Sequence, residues 1–339
     1  MSLRHRLQVN LQLHLPAAAA PKISDRSSFC YLPKNVPNKS NTMVQETEKM
    51  LDFEKMCVLG HGNYGIVYKV RHKRTSAIYA LKIIRDDDEC EMITSSVSNQ
   101  QPSHETRILG FVNSPFVIKC HGIFEPAPLA SNYYSKAILM EYMDAGTLDA
   151  VLKTNGRPFS ESSLVHIAYQ VLKGLQYLHA CNIVHLDIKP SNLLVDKDLN
   201  VKIADFGASK IMHFHETNKP NSCDWTYVGT YAYMSPERLE YSCRYDPKYV
   251  YAGDVWSLGV TLLELFVGHF PFFPPEKKPS WMDLVLMTCV GEPPCVPKEL
   301  ASDEFVSFIK CCLEKDPSKR WTASQLLSHP YVSRLGSRS

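Results

Sequence analysis

The sequence predicts an α+β protein built as two lobes with a cleft between them. Two features predict it. Short alternating apolar runs divided by turn residues fill the first part of the folded region, and long apolar faces at helical spacing fill the rest. Residues 1 to about 48 precede both. They are rich in Ser, Asn, Pro and Ala with little periodicity, and are expected to be disordered. Strands are then expected at residues 56–59, 66–70 and 78–84. Residues 86–103, DDDECEMITSSVSNQQPS, are acidic and then polar, which predicts a loop or an insertion. A second strand pair is expected around 117–124 and 137–142, closing a small sheet region. Beyond Gly146 the period becomes helical. Ser160 is placed to cap a helix whose one face carries Leu164, Ile167, Ala168, Val171, Leu172, Leu175 and Leu178. Further apolar segments run over 255–266 and 304–313, and 321–327 is expected to be the final helix.

The composition excludes several classes. The 339 residues are enough for a sizeable core. Lys and Arg number 37 against 35 Asp and Glu, a net charge of +2, so no global field argues for binding nucleic acid or an anionic membrane. No apolar run approaches the ~18 residues needed to span a bilayer, and the leucines near the N-terminus alternate with Gln, Asn and His, a poor secretory signal. The low acidity before Asp25 leaves a transit peptide as the alternative. The 11 cysteines are scattered, form no C-x-x-C pair, and include one adjacent pair, Cys311-Cys312. That argues against a disulfide framework or a zinc ribbon and for reduced thiols in the cytoplasm, with the nucleus as a second location. Each cysteine is expected to act as a small buried hydrophobe.

Three motifs carry chemistry. Gly60-His-Gly62-Asn-Tyr-Gly65-Ile-Val67 lets backbone approach phosphate oxygens closely. Such glycines also suit a dinucleotide-binding turn, but a strand follows here where that motif needs a helix. Next, Lys82 lies on an alternating strand. If it points inward it needs a counter-charge, and Glu105 is the candidate; the plain alternative is a solvated surface lysine. The third motif is an ordered set: His185-Leu-Asp187-Ile-Lys189-Pro-Ser-Asn192, then Asp205-Phe-Gly207, then Gly229-Thr-Tyr-Ala-Tyr-Met-Ser235-Pro-Glu237, then Asp254-Val-Trp-Ser-Leu-Gly259. Phosphoryl transfer needs a carboxylate to orient the attacking hydroxyl, oxygen ligands for magnesium, and a cation near the γ-phosphate. Asp187, Asn192, Asp205 and Lys189 are those types. Singly each would be a cap or a surface charge; as an ordered set behind the glycine loop and Lys82 they point to one chemistry.

At these residues the sequence resembles the eukaryotic protein kinase family, over roughly 53–332. Within it the chain resembles the MAP kinase kinases, most of all the plant short-form members. The carrying segments are Ile138-Leu-Met-Glu-Tyr-Met-Asp-Ala-Gly-Thr-Leu-Asp149, Val201-Lys-Ile-Ala-Asp-Phe-Gly-Ala-Ser-Lys210 and Tyr227-Val-Gly-Thr-Tyr-Ala-Tyr-Met-Ser-Pro-Glu-Arg238. The resemblance implies a tail at 1–50, a kinase domain at 53–332 with an antiparallel N-lobe sheet and one main helix (53–143) and a mainly helical C-lobe (144–332), and a short end at 333–339. It implies that Leu59, Gly60, His61, Gly62, Asn63, Tyr64, Gly65, Val67, Ala80, Lys82, Met140, Glu141, Met143 and Leu194 surround ATP. Met140 would be the gatekeeper, with backbone groups of Glu141 and Met143 meeting adenine. Lys82 would pair with Glu105, Asp187 would be the catalytic base beside Lys189, Asn192 and Asp205 would hold magnesium, and Thr230 would brace Asp187 and Lys189. Glu237 would pair with Arg320.

Three departures modify those implications. The family's catalytic loop carries Arg where this chain has Leu186, and an apolar side chain makes no charge-assisted bond to a phosphate. Basal activity with a smaller gain on phosphorylation is therefore expected. In the activation segment, the usual plant spacing falls on Pro220, whereas Ser222 and Thr226 have three residues between them, as in the animal enzymes; these two are the expected phosphosites. The segment 86–103 also separates Lys82 from Glu105 in sequence, with Glu89 and Glu91 as rival partners.

Arg4, Arg6, Leu11 and Leu13 form basic residues ahead of a Leu-x-Leu pair, which resembles a MAP kinase docking motif. The resemblance thus implies a monomeric dual-specificity kinase that uses ATP and Mg2+. It would act on a downstream MAP kinase and answer to an upstream MAP kinase kinase kinase. The rival readings are a weakly active pseudokinase scaffold, supported by Leu186, and a Ser/Thr kinase with other substrates.

Overall fold

Alternation along the first strands sets the sheet and, with it, the direction of Lys82. The structure is a computed structural model that describes residues 50–62, 65–84, 104–124, 136–212, 229–240, 249–277, 279–296 and 300–336. The docking residues Arg4, Arg6, Leu11 and Leu13, the loop residues Asn63 and Tyr64, the segment 86–103, and Ser222 and Thr226 lie outside them. Strands β1 (Phe53–Gly62), β2 (Gly65–His72), β3 (Ile78–Ile84), β4 (Cys120–Phe124) and β5 (Lys136–Glu141) form one antiparallel sheet in the order β1-β2-β3-β5-β4. Side chains alternate across a sheet. Leu81, Ile83, Ala137 and Leu139 pack with Phe53 and Val70 on one face. Ala80, Ile84, Ile138 and Met140 join the main core on the other. Lys82 lies between Ala80 and Ile84 in that alternation, so it shares the face that meets the rest of the molecule. Helix α1 (His104–Leu109) packs there too, through Ile108 and Leu109.

From Gly146 helices dominate. The two-residue β6 (Gly146–Thr147) leads into α2 (Leu148–Asn155), which is capped by the Thr147 hydroxyl. Helix α3 (Glu161–Ala180) is capped by Ser160 and buries the seven apolar residues named above for that face. Short strands β7 (Ile183–Val184), β8 (Leu193–Val195), β9 (Val201–Ile203) and β10 (Lys210–Ile211) follow, pairing as β6-β8-β9 and β10-β7. They hold residues 185–192 and 204–209 as the loops between them. Next come α4 (Pro236–Leu239) and α5 (Val250–Val267). Helix α5 is apolar enough to cross a membrane by composition, but it is a core helix, 72% buried in the protein. Its Glu264 accepts a hydrogen bond from the Tyr233 hydroxyl at 2.6 Å.

Three expectations need correction. Helix α6 (Trp281–Val285), continued by a π-helical turn over Leu286–Val290, is absent from the expected elements, because its near-continuous apolar run has no clear helical face. After α7 (Asp303–Cys312), the expected final helix is the shorter α8 (Ala323–Leu327), and a further helix, α9 (Pro330–Gly336), follows it. The capping box of Thr322 and Gln325 starts α8 two residues later than Trp321. Among the described cysteines only Cys312 is fully buried, while Cys57 and Cys295 are exposed. Cysteine count alone carries no information on which side of an element each thiol lies.

Candidate active site

Lys82 is buried, and its ammonium donates to Glu105 Oε1 at 2.6 Å and Asp205 Oδ1 at 2.8 Å. The 23-residue separation of Lys82 and Glu105 is bridged because α1 packs on the Lys82 face of the sheet. Glu89 and Glu91 lie outside the described residues. Burial alone would lower the Lys82 pKa, but the charges of Glu105 and Asp205 outweigh it and hold the ammonium above its ordinary value. Glu105 is pushed up by burial, against the pull of Lys82. Asp205 is held below the usual range, because the Lys82 charge and hydrogen bond exceed the effect of burial. Its backbone has φ of 60°, a left-handed conformation that aims the carboxylate back at Lys82.

The second cluster stands on the loop between β7 and β8. Asp187 forms an ion pair with Lys189 at 2.8 Å and accepts from Asn192 Nδ2 at 2.9 Å and from the Thr230 N–H at 2.8 Å. Lys189 also donates to the Thr230 hydroxyl at 2.5 Å. Burial would raise the Asp187 pKa, yet these bonds and charges hold the carboxyl below its usual value, as an ionised acceptor. The two clusters share one site. Ala204, next to Asp205, donates its N–H to Asn192 O at 2.9 Å, and its carbonyl contacts His185 Nε2 at 3.1 Å.

Sequence reasoning placed Asp254 in the ordered set but gave it no task, and the structure shows that it fixes this loop. Asp254, at the buried start of α5, accepts the His185 N–H at 2.9 Å, the Leu186 N–H at 2.8 Å and His179 Nε2 at 2.9 Å. Despite complete burial its carboxyl stays below the ordinary range because those bonds favour the charge. The Arg238 guanidinium, brought down to about 10 by burial, donates to Leu186 O at 3.0 Å. Gly229, with φ of 100°, comes so close to that carbonyl that a Cβ would sit 2.4 Å from it. An Asp near the start of a largely apolar helical run is the available signal, since a buried charge needs partners. Leu186 itself is buried with Val184, Ala208 and Val250.

Of the expected nucleotide-binding residues, Ala80, Met140 and Met143 are buried in one cluster, and Val67 and Leu194 pack against it. Leu59 and His61 are exposed. Gly65, with φ of 155°, has no room for a side chain: a Cβ would lie 2.0 Å from Ile83 O. The glycine strand therefore folds tightly onto β3. At the hinge after β5, the Glu141 N–H is committed to Lys119 O and the Met143 carbonyl to Gly146 N. Asn192 and Asp205 bring only oxygen ligands, the donor type magnesium takes together with substrate phosphates. No larger His/Cys/Asp/Glu cluster exists among the described residues. Glu237 and Arg320 meet in a buried bidentate pair at 2.7 and 2.9 Å, as the resemblance implies.

A family model described as Protein kinase domain matches residues 53–332. The chain is 47% identical over 331 residues to Mitogen-activated protein kinase kinase 9 of Arabidopsis thaliana, covering 97% of both proteins. It is 46% identical over 329 residues to Mitogen-activated protein kinase kinase 7 of the same plant, again covering 97% of both. With Mitogen-activated protein kinase kinase 8 the identity is 42% over 328 residues, 95% of this chain and 96% of the relative.

Proposed function

The chain belongs to the protein kinase family, in its MAP kinase kinase branch, and on that premise we propose that it transfers the γ-phosphoryl of ATP to Thr and Tyr of a MAP kinase activation loop. The observation that carries this reading is the convergence of Lys82, Glu105 and Asp205 with Asp187, Lys189, Asn192 and Thr230 in one cleft.

The mechanism follows from those contacts. Glu141 and Met143 orient the base, and the apolar residues Ala80, Met140 and Leu194 exclude water from it. Lys82, kept charged by its two carboxylates, holds phosphate oxygens. Asp187, ionised and braced by Thr230, accepts the hydrogen bond of the attacking hydroxyl and takes its proton as the new O–P bond forms and the bond from the γ-phosphorus to the bridging oxygen breaks, which releases ADP with its negative charge. Lys189 lies 2.8 Å from Asp187 and offsets charge on the transferred group. Magnesium, which Asn192 and Asp205 would hold, neutralises charge on the phosphates when bound.

Arg4, Arg6, Leu11 and Leu13 tether the MAP kinase in this reading, and an upstream kinase modifies Ser222 and Thr226. Leu186 replaces the arginine that would read such a phosphate, so phosphorylation raises activity less than in kinases that keep it. The test is phosphorylation of a panel of kinase-dead MAP kinases by wild type and Asp187→Asn, followed by phosphoamino-acid analysis. Incorporation into both Thr and Tyr that depends on Asp187 supports the reading. Incorporation into Thr alone removes dual specificity, and none at all leaves the scaffold.

A further inference from the structure

The peptide that carries Asp187 is held at both ends. Its oxygen, Leu186 O, accepts from Arg238 Nη1 at 3.0 Å, and its N–H, on Asp187, donates to His185 Nδ1 at 3.3 Å. Leu186 needs that restraint. Its φ is 68°, a left-handed conformation unfavourable for any residue but glycine. Such strain persists only where the surroundings over-determine it, and it clusters at functional sites. Here the surroundings close in from several elements. Asp254 takes the Leu186 N–H at 2.8 Å, and Val184, Ala208 and Val250 enclose its side chain. Gly229 closes on its carbonyl, and the next residue, Thr230, donates its N–H to Asp187 itself.

Arg238, on α4, is the unexpected member of this set. It is 3% exposed, and burial of a guanidinium is costly unless its charge is matched. The charges of Asp254, Glu237 and Asp187 offset that cost. Two of these carboxylates have other donors, however. Glu237 meets Arg320 in two hydrogen bonds, and Asp254 is met by the His185 and Leu186 N–H groups and by His179. Arg238 Nη1 goes instead to a neutral carbonyl, one residue before Asp187. A charged donor grips a carbonyl more strongly than a neutral one, and the planar guanidinium fixes direction as well. Leu186 brings no charge of its own, so the cation on its carbonyl comes from α4.

We propose that Arg238 is a positioning residue for catalysis: by gripping Leu186 O it sets the plane of the Leu186–Asp187 peptide and with it the direction of the Asp187 carboxylate. It acts through Asp187 and not on the substrate. This rests on the phosphotransfer reading and adds to it the group that aims the base. Because the grip is internal, it does not depend on a phosphate in the activation segment.

The experiment is a cycle of full-length proteins: wild type, Arg238→Met, Asp187→Asn and the double variant. Each is assayed on a kinase-dead MAP kinase for kcat and for the KM of ATP, at a temperature where circular dichroism shows it folded. Arg238→Met should lower kcat about 10- to 100-fold with the KM of ATP unchanged, the scale on which small misplacements of a catalytic group act. In the Asp187→Asn background the same substitution should cost less than about three-fold, because the group it positions has already lost its task. Equal losses in the two backgrounds mark a merely structural role and overturn the proposal. So does a loss carried by the KM of ATP, or no loss at all. If Arg238→Met does not fold, Arg238→Gln takes its place in the cycle, with the same outcomes. If wild type phosphorylates no MAP kinase, the phosphotransfer reading has failed, and amide exchange over residues 185–189 decides the grip by itself. Faster exchange there in the Arg238 variant, with α5 unaltered, keeps it, and equal exchange removes it.

Discussion

Arg320–Glu237 and Lys82–Glu105–Asp205 are both ion clusters with buried members, yet they differ in how completely each charge is matched. Arg320 places every one of its N–H donors: two on Glu237, and the others on the carbonyls of Glu314, Ala252 and Lys315. The guanidinium also lies 5.2 Å from the centroid of the Trp256 ring. Its side chain and that of Glu237 are 0% and 3% exposed, so nothing further can reach them. Lys82 instead serves two carboxylates with one positive charge, and the Asp205 side chain is 43% exposed. One cluster is saturated and closed. The other is short of positive charge and open on one side, the condition a cation and phosphates need. The difference shows that burial alone does not mark a functional charge; incomplete matching next to an opening does.

The largest expected effect breaks the saturated side. Arg320→Ala leaves Glu237 as a buried charge without its guanidinium and takes one donor from each of three carbonyls, and should lower unfolding stability by about 3–5 kcal/mol in urea titrations. Asp187→Asn should cost about 10²–10⁴-fold in kcat, and it should lower the melting temperature slightly, since the amide keeps the shape but turns one acceptor oxygen into a donor facing Lys189 and Asn192 or the Thr230 N–H. Lys82→Met sharpens the comparison. Activity should fall strongly, but stability should fall by only about 1–3 kcal/mol, because Glu105, already pushed up by burial, can take a proton when the lysine is gone. Equal stability losses for Lys82→Met and Arg320→Ala would erase the distinction.

A pH series tests the loop that Asp254 holds through the His185 and Leu186 N–H groups. Asp254 is depressed in the folded state, so its contribution is present above its unfolded pKa, about 3.9, and is lost as pH falls through the lower folded value. The melting-temperature gap between wild type and Asp254→Asn should hold from neutral pH to about pH 4 and narrow only below that. The smallest effect concerns Leu186. Because it meets Val184, Ala208 and Val250 and carries no charge, Thr226→Ala should reduce activity less than ten-fold, below about 1.4 kcal/mol, even after treatment with an upstream kinase. A larger loss would mean that another cation reads the phosphate.

Much of the site is legible in the amino-acid sequence. Asp187, Asn192 and Asp205 are readable not singly, since each alone would be a cap or a surface charge, but as an ordered set behind the glycine loop and Lys82. Strand period groups Lys82 with Ala80 and Ile84, but the sequence left it open whether that face turns inward, and the fold decided it. Its partner is harder to read, since polar residues with no period lie between Lys82 and Glu105. Helix α3 is readable because half its surface is buried, which writes a stripe into the sequence. Helix Trp281–Val290 is not, because an apolar residue facing a core and one facing solvent look the same in one dimension.

The sequence by itself determined the α+β class, the passage from a strand-rich first part to a helical second part, and the candidate groups for phosphate chemistry, because these depend on local period and on residue chemistry. Only the tertiary structure decided that Asp254 grips the His185 and Leu186 peptides from 69 and 68 residues away, that Arg238 ties Leu186 O, and that Trp281 meets Tyr231 beside the active site. It also decided that two described cysteines stand in solvent. The physical reason is common to all of them. Burial, hydrogen-bond partners and surface continuity are properties of residues brought together from distant parts of the chain, and no local pattern encodes them.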